Sequence, residues 1–387
     1  MRILVFAHDA YLYGASQSLL TAVKGIKTKS DRNILVLLPQ AGKMEEELRA
    51  AEIEYKIVPF PRCVDFDNLT SSLIKRLKNR FIYYIKLVSI LPQLYKIMGQ
   101  FKPNVIYTNT STVSAGYIIA RHLHIPHVWH VREFGDLDFN LNYYPNREKI
   151  RASINDSQKS IFSSHALQNH WITSDTDRHT VVYNGIVDTE NINKESFRGF
   201  PQKHHRIGLL GAILPGKGQH IAIEAFAKLL ENKIIGELYF YGDVADQDYF
   251  NTLEESVRSL KIEDKVFFKG FIDNNNLVYQ NLDLVLSCSE MEGFGRTIVE
   301  AMGHGIPVIA NASGGALEII NNEIDGLLYD GTSESLFFAM AKCLSDKNLY
   351  ESLSTGGFRR SRRFSVGNYI DAVDNILLGA SSESSRT

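Results

Sequence analysis

Ser287-Cys288-Ser289-Glu290-Met291-Glu292-Gly293-Phe294-Gly295-Arg296-Thr297-Ile298-Val299-Glu300-Ala301-Met302 starts at the end of an apolar, β-prone run, Leu282 to Cys288. It finishes in a helical one, Arg296 to Met302. Gly293 and Gly295 let backbone come close to a ligand. Free N–H groups at the start of the helix attract an anion such as a pyrophosphate. Glu292 lies in the loop, and Glu300 lies on the helix on a side that can return to the same cavity. A carboxylate accepts hydrogen bonds from two vicinal hydroxyls, so each glutamate suits a sugar or ribose ring. By spacing alone, Glu300 suits a surface helix position equally well, with glycines that merely turn the chain.

Working outward, strands and helices alternate on both sides of this stretch. Before it come strand Ile207 to Gly211, helix His220 to Leu230, strand Leu238 to Tyr241, helix Tyr249 to Ser259 and strand Val266 to Lys269. After it come strand Pro307 to Ala310, a short helix around Glu318 to Asn321 and strand Gly326 to Tyr329. The first half of the chain has the same rhythm. Its expected strands are Ile3 to Ala7, Ile34 to Leu38, Tyr55 to Val58, Val105 to Tyr107 and Val128 to His130, with helices at Ser16 to Lys24 and Met44 to Ala51. Such spacing predicts parallel βαβ units in two successive Rossmann-like halves. A polar passage, Thr189 to Arg206, reads as the linker between them. In open parallel sheets, ligands bind beyond the C-terminal strand ends.

A second motif, Gly211-Ala212-Ile213-Leu214-Pro215-Gly216-Lys217-Gly218, also joins a strand to a helix. Read alone it is close to a phosphate-binding P-loop, but Gly218 stands where the Mg²⁺-binding Ser or Thr belongs. A nucleoside-triphosphatase loop is therefore not expected.

Together these motifs resemble the retaining GT-B glycosyltransferases of family GT4, the glycosyl transferases group 1. Glu292 and Glu300 match the family's E-x7-E motif. The run Glu300 to Ala310, Gly314-Gly315, Glu318 and Asp325-Gly326-Leu327-Leu328 continue the match over about 45 residues. The resemblance implies that Glu300 binds the ribose of a nucleotide sugar and that Glu292 holds the transferred sugar near its reacting carbon. It implies that the backbone of Gly293, Phe294, Gly295, Arg296 and Thr297 contacts sugar and phosphate. Lys217-Gly218 match the family's Lys-Gly, and the Lys neutralises the diphosphate leaving group. The family's accompanying arginine is replaced by Ala212, so Lys217 acts alone or with Arg296 beside the phosphate-binding turn. Gly270, Phe271 and Ile272 resemble the strand end that meets the nucleobase. Asn184-Gly185 resembles the segment at the domain junction. In the first half, Gly14 keeps one glycine of a Gly-Gly loop, the other being Ala15. His130 matches the family histidine near the donor sugar. Asn109, Thr110 and Glu133 are expected to line the acceptor or sugar pocket.

The fold implied is α/β, GT-B, with two Rossmann-like domains facing each other across a cleft. The expected acceptor-side domain is 1–190 plus a crossover helix at 364–379. The nucleotide-sugar domain is 207–363, the linker 191–206, and 380–387 a disordered tail. The function implied is transfer of a sugar, with retention, from a UDP- or GDP-sugar to a hydroxyl of a glycan or lipid-linked acceptor in bacterial surface polysaccharide biosynthesis. A front-face mechanism, with the leaving phosphate helping to deprotonate the acceptor, goes with that family. No Asp-x-Asp motif stands in a matching place, so neither a metal nor any other cofactor is expected to be required. Two rivals are weighed: a nucleotide-sugar epimerase of the same double fold, and a non-catalytic nucleotide-sugar-binding protein.

Composition bounds these readings. At 387 residues two domains are expected. With 44% hydrophobic and 22% charged residues the chain has globular values, which excludes general disorder. A net charge of −2 gives no support to nucleic-acid binding. Cys63, Cys288 and Cys343 are too scattered for a disulfide framework or a zinc site, which suits a reducing cytoplasm. The apolar run Ile3 to Ala7 is too short for a signal-peptide core.

The near-zero charge is a cancellation. From Asn68 through Arg132 there are nine Lys and Arg and no Asp or Glu. Within it, 73–98 alternates cations with bulky apolar residues, and Pro92 is expected to break it into two helices. A basic amphipathic segment of this kind suits the anionic cytoplasmic face of an inner membrane or a lipid-pyrophosphate acceptor. A solvated basic face over an ordinary core helix is the alternative.

Overall fold

The computed structural model describes residues 1–29, 31–65, 73–174, 176–188, 199–201, 204–272 and 275–383. The chain forms two compact units, Met1–Gly185 with Val366–Thr387, and Ile186–Ser365. The expected linker, 191–206, falls largely outside the described residues. A strand, His205–Leu210, begins within it.

The first unit holds β1 (Arg2–Phe6), β2 (Asn33–Leu38), β3 (Glu54–Ile57), β4 (Val64–Asp65), β5 (Val105–Asn109), β6 (His127–Val131), β7 (Asn142–Tyr143), β8 (Lys159–Phe162) and β9 (His179–Val181). Seven of these make one sheet in the order β3-β2-β1-β5-β6-β8-β9, parallel throughout. β4 and β7 form a separate antiparallel pair. Central strands such as β5 and β6 are buried at every residue. That explains their continuous apolar reading: a parallel sheet is covered on both faces, so alternation disappears.

The second unit holds β10 (His205–Leu210), β11 (Gly236–Tyr241), β12 (Val266–Phe268), β13 (Leu284–Ser287), β14 (Val308–Asn311) and β15 (Leu327–Tyr329). They form one parallel sheet in the order β12-β11-β10-β13-β14-β15. Helix Gln219–Glu231 buries Ala222, Ile223, Ala225, Phe226 and Leu229 at helical spacing against it. Each sheet reverses its strand order once, between β1 and β5 and between β10 and β13. At such a switch point the connections leave in opposite directions and open a crevice at the C-terminal strand ends.

The last helix, Val366–Glu383, is part of the first unit. Tyr369, Val373, Leu377 and Ala380 lie in that unit's core. Asp374, buried, accepts from Arg32 Nε at 2.8 Å and from Lys29 Nζ at 2.9 Å. This helix continues to Glu383, so the tail expected from 380 starts later. Ala380 is buried because the apolar positions 369, 373, 377 and 380 keep helical spacing past the Ser-rich composition. Residues 384–387 lie outside the described residues.

Pro92 does not divide the basic segment. One helix, Leu73–Phe101, runs through it. Proline removes the bond to the carbonyl four residues back. Both Pro92 and Val88 are on the exposed side, where water can take that carbonyl.

Candidate functional site

In the second unit the loops after β10 and β13 leave neighbouring strands at the switch point. The first ends in a 3₁₀ turn, Pro215–Lys217, followed by Gly218 in the left-handed region at φ +67°. A Cβ at Gly218 would lie 2.2 Å from the Cys288 carbonyl oxygen. Only a glycine allows this approach. Glu290 N–H donates to Gly216 O at 2.9 Å and ties the loops together. Lys217 and Glu292, 75 positions apart, thereby become neighbours. Lys217 Nζ donates to Ser289 Oγ at 3.2 Å and to Glu292 Oε2 at 3.3 Å. Ser289 Oγ donates to the same carboxylate oxygen at 2.8 Å.

The Gly314-Gly315 pair has a related reason. Gly315 N–H donates to Glu292 O at 2.7 Å. Gly314 sits at φ +52°, and a Cβ there would lie 2.2 Å from that same oxygen. The backbone behind Glu292 is thus clamped at close range.

Gly295, in the left-handed region, starts helix Arg296–Gly303, and no side chain caps that start. Amides at an uncapped helix start attract an anion. Glu300 is held through both oxygens: Arg296 Nε donates to Oε1 at 2.7 Å and the Tyr279 hydroxyl to Oε2 at 2.8 Å. Burial, and then the Glu300 charge, push Tyr279 well above the usual phenol range, so it stays a donor. Arg296 therefore commits one edge of its guanidinium to Glu300. Phe294 turns its ring into the core against Phe364, at 5.6 Å between centroids, so a ligand meets its backbone rather than its ring. Thr297 is half-buried on the first turn. After β12, Gly270 lies at φ +67° with Phe271 exposed and Ile272 half-buried. Gly242 N–H donates to Gly270 O at 2.9 Å.

In the first unit the structure brings the Gly14 loop, Asn109 and His130 together. Gly14 opens helix Gly14–Lys27 and is exposed. Asn109 Nδ2 donates to Ala15 O at 3.3 Å. His130, fully buried, accepts at Nδ1 from the Tyr107 hydroxyl at 2.7 Å. Burial, then Arg132, hold its pKa well below the ordinary histidine range. Thr110 sits at φ +70°, rare for a β-branched residue, fixed by its N–H to His130 O at 2.8 Å and by Trp129 Nε1 to its own carbonyl at 2.7 Å. Glu133 turns inward, accepting from both the N–H and the hydroxyl of Ser111. Burial raises its pKa. Its carboxylate is committed to holding its own loop.

Sequence reasoning did not single out Tyr107, Tyr279 or Ser289 as site residues. A polar residue just past an apolar strand beside a switch point would have pointed to Ser289. Tyr279 reaches Glu300 only through tertiary packing.

Residues 191–360 match the family profile described as glycosyl transferases group 1. This segment is a group 1 glycosyl transferase domain. Among curated proteins, an uncharacterized glycosyltransferase of Methanocaldococcus jannaschii is 33% identical over 44% of this chain and 46% of its own length. The mannosylfructose-phosphate synthase of Agrobacterium fabrum is 32% identical over 40% of this chain and 36% of its own. The chain thus spans less than half the length of these relatives. Among solved structures, Anabaena HepE in complex with UDP and glucose superposes with a TM-score of 0.76 at 23% identity, covering 98% of this chain and 100% of that one. Both Rossmann-like units belong to the GT-B fold, and the group 1 glycosyl transferase segment occupies most of the second.

Proposed function

We propose that the chain is a retaining glycosyltransferase that moves a sugar from a UDP- or GDP-sugar to a hydroxyl of a glycan or lipid-linked acceptor, in bacterial surface polysaccharide assembly. The observation that carries this reading is the Lys217–Ser289–Glu292 cluster at the switch point of the second sheet, on the loop that leads into the helix Arg296–Gly303, which carries Glu300. One cation and the amides of a helix start suit a departing diphosphate. The two clamped carboxylates suit hydroxyls of sugar and ribose. No metal is required in this reading. HepE, solved with UDP and glucose, supports the donor class.

Lys217 neutralises charge that grows on the diphosphate as the glycosidic bond lengthens. Ser289 and Lys217 orient Glu292 toward the sugar. Tyr279 and Arg296 orient Glu300 toward ribose. Arg296 also lies at the phosphate-binding turn, where it partly replaces the cation lost at Ala212.

Incubation with UDP- and GDP-sugars, with and without acceptor, tests this. Release of nucleoside diphosphate that depends on acceptor, abolished in Lys217→Ala, is the expected result. Isomerised donor without release would establish the epimerase, and binding with neither outcome the non-catalytic nucleotide-sugar-binding protein. The anomeric configuration of the product, read by NMR, tests retention.

The basic helix Leu73–Phe101 supports a membrane-surface partner for this reaction. Tyr83, Leu87, Ile90 and Leu94 are buried, while Ile74, Leu77, Phe81, Ile85 and Val88 form an exposed stripe at helical spacing. Lys75, Lys78, Arg80 and Lys86 are exposed around it. Among the described residues no helix is long and apolar enough to cross a membrane. An apolar stripe rimmed by cations suits an anionic lipid surface. Co-flotation with vesicles containing anionic lipid, lost in Phe81→Asp, is expected; equal flotation with neutral vesicles would refute the charge component.

A further inference from the structure

Three helices of the first unit, Leu73–Phe101, Ala115–His122 and Arg147–Asp156, enclose a groove of about 480 Å³. That volume lies in the range of small-molecule sites, roughly 300–1,000 Å³. The wall is aromatic. Tyr83 and Tyr144 stack at 5.8 Å between ring centroids, and Tyr117 stacks on Trp129 at 5.7 Å.

The polar atoms of this wall are already in use. The Tyr83 hydroxyl pairs with Ser114 Oγ at 2.7 Å. The Tyr144 hydroxyl donates to Asp65 Oδ2 at 2.8 Å. The Tyr117 hydroxyl donates to Asp156 Oδ2 at 2.7 Å and accepts from Arg121 Nη1 at 3.1 Å. Arg121 also pairs directly with Asp156, which cancels that carboxylate's charge. A sugar or a peptide in such a site would leave its own polar groups unpaired, which is costly. Ring faces and methyl groups suit hydrocarbon instead. Among the described residues, the Lys149 ammonium and the Tyr84 hydroxyl line the groove uncommitted, both on exposed residues. Both can donate to an anion. Tyr84 also joins the groove to the exposed apolar stripe, because it stands three residues after Phe81 and four before Val88 on the same helix. The stretch Asn68 to Arg132, which supplies two of the three helices, holds nine cations and no acid.

We propose that this groove takes one acyl chain of an anionic phospholipid, with the phosphate held at its rim by Lys149 and Tyr84. The membrane as source of the chain rests on the membrane-surface reading of Leu73–Phe101 above; the chemistry of the groove does not. A chain that leaves the bilayer loses nothing, because lipid tails and apolar side chains are equally apolar. The gain is the groove's own apolar surface, taken out of water. One weak membrane signal gives only marginal, reversible attachment, and stable anchoring takes two. A basic apolar helix and a captured chain supply two.

Soluble short-chain lipids test the groove without a membrane. In isoleucine methyl spectra of the full chain, dihexanoyl phosphatidylglycerol below its micelle concentration should shift Ile118 and Ile150, which line the groove and are assigned through Ile118→Val and Ile150→Val. Dihexanoyl phosphatidylcholine should need about 3- to 10-fold more lipid for the same shift, and so should Lys149→Glu with the phosphatidylglycerol. Ala152→Trp, which fills the groove from an exposed position, should abolish the shifts. Unmoved Ile118 and Ile150 methyl groups in the native protein, or native shifts in Ala152→Trp, overturn the proposal. Farnesyl phosphate acting at about 10-fold lower concentration than the phosphatidylglycerol would assign the groove to a prenyl phosphate and overturn the acyl chain. With anionic vesicles, Ala152→Trp should still float, more weakly than native, through the Leu73–Phe101 stripe. Methyl shifts without flotation of the native protein would refute the membrane-surface reading while the groove assignment stands.

Discussion

Gly218→Ala puts the packing of the donor-side loops to a direct test. At φ +67° the left-handed conformation costs an alanine about 1–2 kcal/mol. The added Cβ would also stand 2.2 Å from Cys288 O, 2.9 Å from Cys288 Cβ and 3.0 Å from Cys288 C. An ordinary carbon–oxygen contact is longer by roughly 1 Å, so one loop must move by about that distance. The obstacle is mainly backbone, which has no rotamer to escape into, and overpacking of this kind costs about 1–3 kcal/mol. Together the loss is about 2–5 kcal/mol. Gly270 supplies the control. It has the same φ of +67°, and a methyl group there would meet no atom within 4 Å, so Gly270→Ala isolates the conformational part. Urea denaturation followed by circular dichroism should show Gly218→Ala losing at least about 1 kcal/mol more than Gly270→Ala. Because the displaced loops carry Lys217 and Glu292, UDP or GDP binding should weaken in Gly218→Ala as well. Equal stability losses in the two variants, with native nucleotide affinity in Gly218→Ala, would refute a rigid close approach between these loops.

Tyr279→Phe removes one of the groups that fix Glu300; nucleotide affinity is expected to fall about 3- to 10-fold in calorimetry, with unfolding free energy lowered by about 1 kcal/mol. Gly99→Ala, exposed inside helix Leu73–Phe101 with nothing within 4 Å of the new methyl group, should raise stability by about 0.5–1 kcal/mol, read as a higher urea midpoint. His127 is buried between Thr108 Oγ1 and Ser157 Oγ, both at 2.9 Å, and burial lowers its pKa to about 3. The unfolded chain binds this proton near pH 6.5 and the folded one does not, so stability falls with pH between about 6.5 and about 3; from pH 7 to pH 5 the loss from His127 is about 2 kcal/mol. A denaturation midpoint that does not fall over that range would contradict a buried uncharged His127.

Much of the architecture was legible in the residues because parallel strands buried on both faces are nearly pure apolar runs. Ile3–Phe6, Val105–Tyr107 and Leu284–Leu286 need no long-range information to be read as strands. The donor-side motifs were legible for a related reason. Loops that place backbone next to backbone demand glycine, and Gly218, Gly295 and Gly314 mark those positions whatever surrounds them. Pro92 misled the reading because a proline breaks a helix only where its lost hydrogen bond cannot be replaced by water. The Ser-rich end misled it because composition hides the apolar spacing of Tyr369, Val373, Leu377 and Ala380.

The sequence by itself determined the class of fold, the two successive halves and the segment that belongs to the group 1 glycosyl transferases, since each depends on local periodicity or on a short ordered motif. Only the tertiary structure decided which side chains hold which. Lys217 meets Glu292 and Ser289 because β10 and β13 are neighbours although β11 and β12 intervene in sequence. Arg132 finds Tyr369, 237 positions away, because the last helix packs into the core of the first unit. The partners that fix each buried side chain follow from those pairings. No one-dimensional pattern carries them, because chain separation says nothing about distance once strands are reordered in a sheet.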